Sequence, residues 1–225
     1  MIAGHHRTGA TQDERHDGDD TLTGRTIVVT GASDGIGRAA VRGFVERGAN
    51  VVMVGRNSAK TAAAASSIMS DTRRRSISCE IADLSRQESV RELAERLRDR
   101  HERIDLLANN AGAFFLDHAT TNEGLERTFA LNHLAYFSLS LLLLDRIAAS
   151  ATPGHPARII NVSSRAHGTA RLDTHDWQMT RGYRGWRAYA NSKLCNILFT
   201  HALTRRVDPS RVVVHAMHPG LVSTR

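Results

Sequence analysis

Two side chains late in the sequence, a tyrosine and a lysine, could carry out acid–base chemistry. Tyr189 and Lys193 are four residues apart, so on a helix they would lie on the same face. A lysine ammonium beside a phenol favours the phenolate and lowers its pKa from the usual value of about 10. A tyrosine in that setting can act as an acid or a base near neutral pH. Because this spacing is common by chance, the pair indicates catalysis only together with other motifs.

A glycine-rich turn early in the chain predicts a binding site for a pyrophosphate. It follows a short β-branched run and reads Thr30-Gly31-Ala32-Ser33-Asp34-Gly35-Ile36-Gly37. Gly31 would permit the tight turn, Gly35 a close approach of the backbone to the ligand, and Gly37 close packing of the following helix. The free N–H groups at the start of that helix would face the phosphates. An ordinary glycine turn is the alternative, and the position between a strand and a helix favours the phosphate site.

The end of the second predicted strand indicates which dinucleotide would bind. NAD sites carry an acidic residue there, which holds the 2′-hydroxyl of the ribose. Here the strand ends in Val54-Gly55-Arg56-Asn57, without a carboxylate. Since a guanidinium can bind a 2′-phosphate with two hydrogen bonds, Arg56 favours NADP(H) over NAD(H). The alternative is an arginine that lies on the surface and contacts no ligand.

These motifs belong to a chain in which short strands alternate with longer helices. We expect strands at residues 26–30, 51–54, 76–81, 104–108, 158–162 and 211–217, and helices at residues 36–47, 58–69, 85–100, 122–149 and 186–206. This alternation is typical of βαβ units and predicts an α/β fold, a doubly wound, Rossmann-like parallel sheet in three αβα layers. Ligands of such sheets bind at the carboxyl ends of the strands, which is where the motifs fall.

Length and composition favour one domain without a membrane span. The chain has 225 residues, and residues 1–24 lack hydrophobic periodicity, so we expect a disordered tail followed by a dinucleotide-binding domain at residues 25–225. The richest apolar run, residues 139–144, stops at Asp145 and is too short to cross a bilayer. The two cysteines, Cys79 and Cys195, have no disulfide or metal spacing, which favours a cytoplasmic location.

The net charge of +7 leaves two interpretations of the surface. A basic protein could bind nucleic acid, or its arginines could be spread over solvated helix faces. The basic residues are scattered, apart from residues 73–75, so we expect no nucleic-acid partner. His215 and His218 could form half of a metal site, but nothing in the sequence completes it, and we expect no metal.

Taken in order, the motifs resemble those of the short-chain dehydrogenase/reductase family, and the resemblance covers residues 25–225. Besides the glycine turn and the pair of Tyr189 and Lys193, it rests on Asp83-Leu84, Asn109-Asn110-Ala111-Gly112, Asn132, Ser164 and His218-Pro219-Gly220-Leu221-Val222-Ser223-Thr224. Ser163 precedes Ser164 in the sequence, but the usual pattern of the family aligns Ser164 with its catalytic serine.

The resemblance implies a role for each motif residue. Tyr189 would exchange a proton with the substrate oxygen, and Ser164 would hydrogen-bond that oxygen. Lys193 would lower the pKa of Tyr189 and hold the nicotinamide ribose, while Asn132 would position a water linked to Lys193. The implied cofactor contacts are Gly31, Ser33, Asp34, Gly35, Ile36, Gly37, Arg56, Asn57, Asp83, Leu84, Asn109, Ala111, Gly112, Tyr189, Lys193, Pro219, Gly220, Val222 and Thr224.

Further features are similar to the retinol dehydrogenase-like branch of that family. Ser164 and Tyr189 are 25 residues apart, and the segment between them contains Trp177, Tyr183 and Trp186. The likeness implies an NADP-dependent oxidoreductase that transfers hydride between nicotinamide and a lipophilic aldehyde, ketone or alcohol. The aromatic residues could instead pack over the edge of the sheet.

Members of the family usually continue beyond the equivalent of Arg225 with a substrate-covering loop, a helix and a seventh strand. We therefore expect a C-terminally truncated chain that lacks the substrate lid and the last strand. A homo-oligomer is compatible with this expectation. The alternatives to an enzyme are a non-catalytic NADP-binding protein, such as a redox sensor, and an inactive truncated homologue.

Overall fold

The computed structural model describes residues 22–220. Most of the predicted N-terminal tail lies outside the described residues, as do Val222 and Thr224 of the last motif. Leu22 lies within them. Its backbone N–H donates to the Arg47 carbonyl at 2.8 Å, and its side chain packs against buried residues of the domain. The packing of the domain thus includes Leu22, which precedes the predicted boundary at Arg25.

Six parallel strands form the sheet, in the order β3-β2-β1-β4-β5-β6. Their bounds are β1 Thr26–Thr30, β2 Asn50–Gly55, β3 Ile77–Ile81, β4 Leu106–Asn109, β5 Ala157–Val162 and β6 Val212–Met217. The strand order reverses between β1 and β4, which lie side by side. A sheet of this kind opens a ligand crevice at that switch point, outside the carboxyl ends of the strands.

Helices cover both faces of the sheet, and the predicted doubly wound αβα fold is confirmed. They are α1 Gly35–Glu46, α2 Ser58–Thr72, α3 Gln87–Arg100, α4 Arg127–Phe129, α5 Ala135–Ala149 and α6 Gly185–Thr204, with a π-helical turn at Ala130–Leu134 and a 3-10 turn at Arg165–Thr169.

The predicted helix at residues 122–149 is wrong in its first part. The helix begins at Arg127, because the preceding residues form a loop in which Gly124 has a φ of 77°. The buried carboxylate of Glu126 accepts a hydrogen bond from the Thr128 backbone N–H at 2.7 Å and so caps the first turn. Glutamate is not among the usual capping residues, and for that reason the sequence did not mark this start.

The core lies in two layers, one on each face of the sheet. Successive side chains of a strand point to opposite faces, and β1 follows that rule. Val28 is buried with the apolar residues of α3, α5 and α6, while Ile27 and Val29 are buried with those of α1 and α2. Burial on both faces fixes the carboxyl ends of β1, β4 and β5, from which the site is built.

Among the described residues, the stretch Arg127–Ala149 is long and apolar enough to cross a membrane, with a mean hydropathy of 1.2 in its most apolar window. In the domain, 44% of that window is buried, and Leu139, Leu143 and Ile147 belong to the core. The domain thus uses one apolar face of this helix for its own packing.

Candidate active site

A cleft of about 610 Å³ opens at the carboxyl ends of the central strands. Its walls are formed by the glycine turn after β1, the segment after β4, the serines after β5, the first turns of α6 and the segment after β6. Its lining residues are Gly31, Asp34, Gly35, Ile36, Asn110, Ala111, Gly112, Ala113, Phe114, Val162, Ser163, Ser164, Trp186, Tyr189, Lys193, Pro219 and Gly220. Most motif residues predicted from the sequence therefore meet in one place.

The glycine turn has the close packing that a pyrophosphate cradle requires. Gly31 has a φ of 64°, and a Cβ atom there would lie 2.7 Å from the Ala111 Cα. A Cβ atom at Gly37 would lie 2.3 Å from the Gly31 carbonyl oxygen, so α1 can begin this close to β1 only with glycine. These contacts keep the N-terminus of α1 at the cleft, and the residues fit a dinucleotide phosphate.

Asp34 lies at the mouth of this cradle and is held by two partners. Its Oδ1 accepts a hydrogen bond from the Gly35 N–H at 2.8 Å, which caps α1. Its Oδ2 lies 2.8 Å from the Nζ of Lys60, at the start of α2. The Lys60 hydrogen bond is the main reason why the pKa of the Asp34 carboxyl is lowered. Sequence reasoning missed Lys60, because no local spacing links it to the turn.

At the end of β2, Arg56 is the residue that could meet a 2′-phosphate. Its side chain is exposed, and its guanidinium forms no hydrogen bond or ion pair within the described part of the chain.

The other predicted contacts near the ends of β2 and β3 have partners within the protein. The Asn57 Oδ1 accepts a hydrogen bond from the Lys60 N–H at 2.9 Å and caps α2. Beyond β3, the Asp83 carboxylate accepts hydrogen bonds from the N–H and Oγ of Ser85, and Leu84 is buried. The side chains of Arg56, Asn57, Asp83 and Leu84 do not line the cleft.

The four-residue motif after β4 divides between the core and the cleft. Asn109 is buried, and its amide nitrogen donates to Ser140 and Asn161, both at 2.9 Å. Its side chain therefore belongs to the packing of the domain. Asn110 lines the cleft instead, and its amide donates to the carbonyls of Thr30 and Gly31 at 2.9 and 3.2 Å. Sequence reasoning left Asn110 out of the site, although the motif contains it.

Helix α6 brings Tyr189 and Lys193 together on one face, as the spacing predicts. The Lys193 Nζ lies 5.6 Å from the centroid of the Tyr189 ring. It lies at the same distance from the ring of Tyr136 on α5, and it donates to the Val162 carbonyl at 3.0 Å. Burial lowers the pKa of Lys193 to about 8. Among the described ion pairs none includes Lys193, so its charge is stabilised by a carbonyl and two rings.

Asn132 lies behind this pair, within the π-helical turn, and its side chain is wholly buried. Its Oδ1 accepts the Ala113 N–H and its Nδ2 donates to the Ala113 carbonyl, both at 2.9 Å. Its Nδ2 also donates to the Ser192 Oγ at 3.2 Å. A π-helical turn within an α-helix frequently marks a functional site. Here it aligns Asn132 with the segment after β4 and with α6.

The two serines after β5 have different partners. Ser163 donates its hydroxyl to the Lys193 carbonyl at 2.8 Å and is buried. The Ser164 Oγ accepts a hydrogen bond from the Ala166 N–H at 3.2 Å and lies in the cleft. Since a hydroxyl that only accepts still has a proton to donate, Ser164 can bind a substrate oxygen. This geometry suits the role that the sequence assigned to Ser164.

Aromatic rings form the open side of the cleft. Phe114 and Trp186 flank Tyr189, with ring centroids 5.9 and 6.3 Å from its own, and Trp186 is 55% exposed. Of the other aromatic residues singled out in the sequence, Trp177 packs against Phe129 and Tyr183 shares a hydrogen bond with Thr128. Only Trp186 of that set lines the cleft. Phe114 was missed, because it follows the motif after β4 and precedes no recognisable pattern.

Beyond β6, Pro219 and Gly220 line the cleft opposite the glycine turn. The Gly220 N–H donates to the His218 ring at 3.1 Å. Within residues 22–220, no three His, Cys, Asp or Glu side chains are grouped so that they could hold a metal ion.

Comparisons with known proteins agree with this geometry. The sequence model described as short chain dehydrogenase matches residues 25–225. Retinol dehydrogenase 13 of Homo sapiens is 42% identical over 206 residues, which are 91% of this chain and 61% of that protein. Polyprenol dehydrogenase of Homo sapiens is 35% identical over 89% of this chain and 61% of its own length. The chain thus spans about three fifths of the length of these curated relatives.

Solved structures show the same fold. An uncharacterised protein from Mycobacterium paratuberculosis is 35% identical, with a TM-score of 0.76 over 89% of this chain and 69% of that one. Pseudomonas aeruginosa RhlG, in an active-site complex with NADP, is 29% identical, with a TM-score of 0.74 over 91% of this chain and 75% of that one.

Proposed function

Because the chain belongs to the short-chain dehydrogenase family, we propose that it is an NADP-dependent oxidoreductase for lipophilic aldehydes, ketones and alcohols. The main support is the position of Lys193 beside the Tyr189 ring, in a cleft that also receives the glycine turn. A nucleotide-binding protein without catalysis has no need of a buried lysine next to a tyrosine at its cleft.

The preference for NADP(H) is supported by charge. Arg56 follows the end of β2, Lys60 lies in the first turn of α2 beside Asp34, and β2 ends without a carboxylate. Arginine binds a phosphate through two parallel hydrogen bonds. A 2′-hydroxyl lacks the two oxygen acceptors and the negative charge that this contact requires. The RhlG structure, a fold neighbour, is a complex with NADP.

In this proposal the cofactor supplies or accepts the hydride, and the side chains of the chain position the substrate and move its proton. Ser164 donates a hydrogen bond to the substrate oxygen and steadies the charge that develops there. Tyr189 gives its phenol proton to that oxygen in reduction and takes it back in oxidation. Lys193 keeps a positive charge near the Tyr189 ring. Asn132 holds the segment at Ala113 that forms the wall of the cleft.

A lipophilic substrate is supported by the residues around Tyr189. Phe114 and Trp186 present apolar surface at the mouth of the cleft, and Leu116 nearby on the same segment is exposed. The hydrocarbon part of retinal or of a polyprenol aldehyde could lie on these side chains, with the carbonyl group at Ser164. The relatives named retinol dehydrogenase and polyprenol dehydrogenase favour this class of substrate.

A cytoplasmic location is part of the proposal. Cys79 is exposed and Cys195 is buried, and both are free thiols. Unpaired cysteines are typical of proteins from a reducing compartment.

The proposal is tested by following the nicotinamide absorbance of NADPH with a panel of aldehydes, from short polar ones to retinal. We expect oxidation of NADPH that becomes faster as the aldehyde becomes more apolar, and slower oxidation of NADH. Binding of NADPH without turnover of any aldehyde or alcohol would favour the non-catalytic alternative. Failure to bind either nucleotide would contradict both.

A further inference from the structure

Asn196, on α6, links the surroundings of Lys193 to His133. It lies three residues after Lys193, so both side chains project from the same side of the helix, and Asn196 is wholly buried. Its Nδ2 donates to the main-chain carbonyl of Asn132 at 2.9 Å and approaches the Val162 carbonyl at 3.5 Å. The Val162 carbonyl is also the acceptor for the Lys193 ammonium. The amide of Asn196 and the ammonium of Lys193 thus share one acceptor.

The partners of Asn196 fix both its orientation and the tautomer of His133. The carbonyl oxygens of Asn132 and Val162 face one end of the Asn196 amide. Because carbonyl oxygens only accept hydrogen bonds, that end must be the amide nitrogen. The Oδ1 therefore faces the Nδ1 of His133, at 2.9 Å, and the ring must carry its proton on Nδ1. Burial lowers the pKa of His133 below its ordinary value, so the neutral form with the proton on Nδ1 is the form at neutral pH.

Packed rings hold His133 in this position. Its centroid lies 5.2 Å from that of Phe129 and 6.4 Å from those of Phe137 and Phe199. These rings come from α4, α5 and α6, so the histidine cannot turn its Nδ1 away from Asn196 without repacking all three.

We infer that Asn196, oriented by His133, is a positioning residue that shares the Val162 carbonyl with the Lys193 ammonium and so sets the strength of the hydrogen bond between that carbonyl and the ammonium. The inference rests on the proposed function for its purpose, since the ammonium is the group that acts on Tyr189. Asn196 does not line the cleft. It acts through the acceptor that it shares with Lys193.

The surroundings of Lys193 make the effect measurable. The titratable groups that face it are Tyr189 on α6 and Tyr136 on α5. His133 does not contact Lys193 directly but is hydrogen-bonded to Asn196. Asp34, across the cleft on the glycine turn, is tied to Lys60. If the Asn196 amide is removed, the Val162 carbonyl accepts from the ammonium alone. The hydrogen bond of the charged form of Lys193 then strengthens, and its pKa rises.

The sequence offers a direct probe, because Lys60 and Lys193 are its only lysines. Protein labelled with ¹³C at the lysine side chains gives two Cε resonances, and Lys60→Arg assigns them. The titration midpoint of Lys193 is then read by NMR over pH, without added nucleotide. For Asn196→Leu we expect a midpoint higher by up to about one pH unit, where the upper bound is the effect of one whole hydrogen bond to a charged group.

His133 variants test the same chain of contacts without removing the buried amide. His133→Phe leaves the Asn196 Oδ1 without a donor, and we expect a smaller shift of the Lys193 midpoint in the same direction. His133→Asn restores a donor near the position of Nδ1 and should return the midpoint to that of the parent. The double variant with Asn196→Leu should match Asn196→Leu alone, because His133 acts only through Asn196.

Asn161→Leu is the matched control. Asn161 is another wholly buried asparagine, but its amide donates to Thr200 and accepts from Asn109, and neither partner is Lys193 or its acceptor. It should lower stability to a similar degree and leave the Lys193 midpoint in place. If Asn196→Leu does not fold, the two His133 variants decide the matter alone.

A Lys193 midpoint that is unchanged in folded Asn196→Leu or in His133→Phe overturns the inference. An equal shift in Asn161→Leu overturns it too, because general loosening would then explain the result. These NMR measurements need no turnover. If the protein oxidises no NADPH, the proposed function is contradicted, but the Lys193 midpoints still decide the role of Asn196.

Discussion

The carboxylate of Asp34 and the ammonium of Lys60 lie 2.8 Å apart and join the first turns of two helices at the mouth of the phosphate cradle. A negative group at this place is unusual, because the phosphates of a dinucleotide would lie beside it. The structure shows why it is tolerated. Asp34 caps α1, and Lys60 neutralises it.

The first prediction concerns this ion pair. Asp34→Asn keeps a side chain that caps a helix well, but it removes the charge and frees Lys60 for the cofactor phosphates. We expect NADPH to bind about twofold to fivefold more tightly, because an exposed charge contact contributes little to binding. Fluorescence titration at low and high salt measures the effect, which should shrink as salt is raised. Weaker binding of NADPH by Asp34→Asn would show that the carboxylate itself contacts the cofactor.

The second prediction concerns the choice of dinucleotide. Arg56→Ala should weaken NADPH binding by about tenfold to a hundredfold, the range of a charge-assisted hydrogen bond, and should change NADH binding little. Arg47→Ala is a suitable control, because Arg47 is an exposed arginine at the far end of α1. Equal affinities for NADPH and NADH in the parent protein would contradict the assignment of Arg56.

The third prediction follows from the buried charge of Lys193. Its pKa in the folded chain is lowered to about 8 from 10.5, chiefly by burial. Below pH 8 the folded and unfolded states both hold the proton, and the folded state carries the full cost of burying the charge. Between about pH 8 and 10.5 the folded state has lost the proton that the unfolded state still binds, so this group makes stability rise with pH.

Lys193→Met should therefore stabilise the protein at pH 7 by up to about 3 kcal/mol, less the cost of the hydrogen bond that the Val162 carbonyl loses. The gain should shrink as pH approaches 10, where the parent lysine is neutral in the folded state. Urea unfolding of both proteins at pH 7 and at pH 9.5 measures the difference. A variant that is less stable than the parent at pH 7 would show that the ammonium is better solvated than its burial indicates. NADPH binding should weaken in the same variant.

The fold could be predicted from the sequence because strand, helix and turn signals all indicate alternating strands and helices. β-branched runs end at turns, helices of three or more turns follow, and glycines stand where the chain must pass close to its own backbone. Gly37 could be assigned in advance from local geometry, since a Cβ atom there would meet the Gly31 carbonyl oxygen. Gly31 could be assigned from its place in the turn, although the atom that a Cβ would meet there belongs to Ala111 after β4. The spacing of Tyr189 and Lys193 likewise needs only a helix.

Features that depend on contacts between distant segments could not be predicted. The side chain of Asn109 looks like a cofactor contact in the sequence, but Ser140 and Asn161 hold it in the core. Lys60 reaches Asp34 only because α2 begins beside α1 in the folded sheet. The π-helical turn at Ala130–Leu134 was not predicted from the sequence either.

The central claim is that Tyr189 transfers the proton while hydride moves between NADPH and a carbonyl carbon. Tyr189→Phe removes one oxygen and keeps the ring between Phe114 and Trp186, so the fold and NADPH binding should survive. The most direct measurement is the transfer of deuterium from NADPH deuterated at nicotinamide C4 to a lipophilic aldehyde, followed by mass spectrometry of the alcohol. We predict labelled alcohol from the parent protein, and a rate at least a hundredfold lower from folded, NADPH-bound Tyr189→Phe. Labelled alcohol formed by Tyr189→Phe at the rate of the parent would contradict the account.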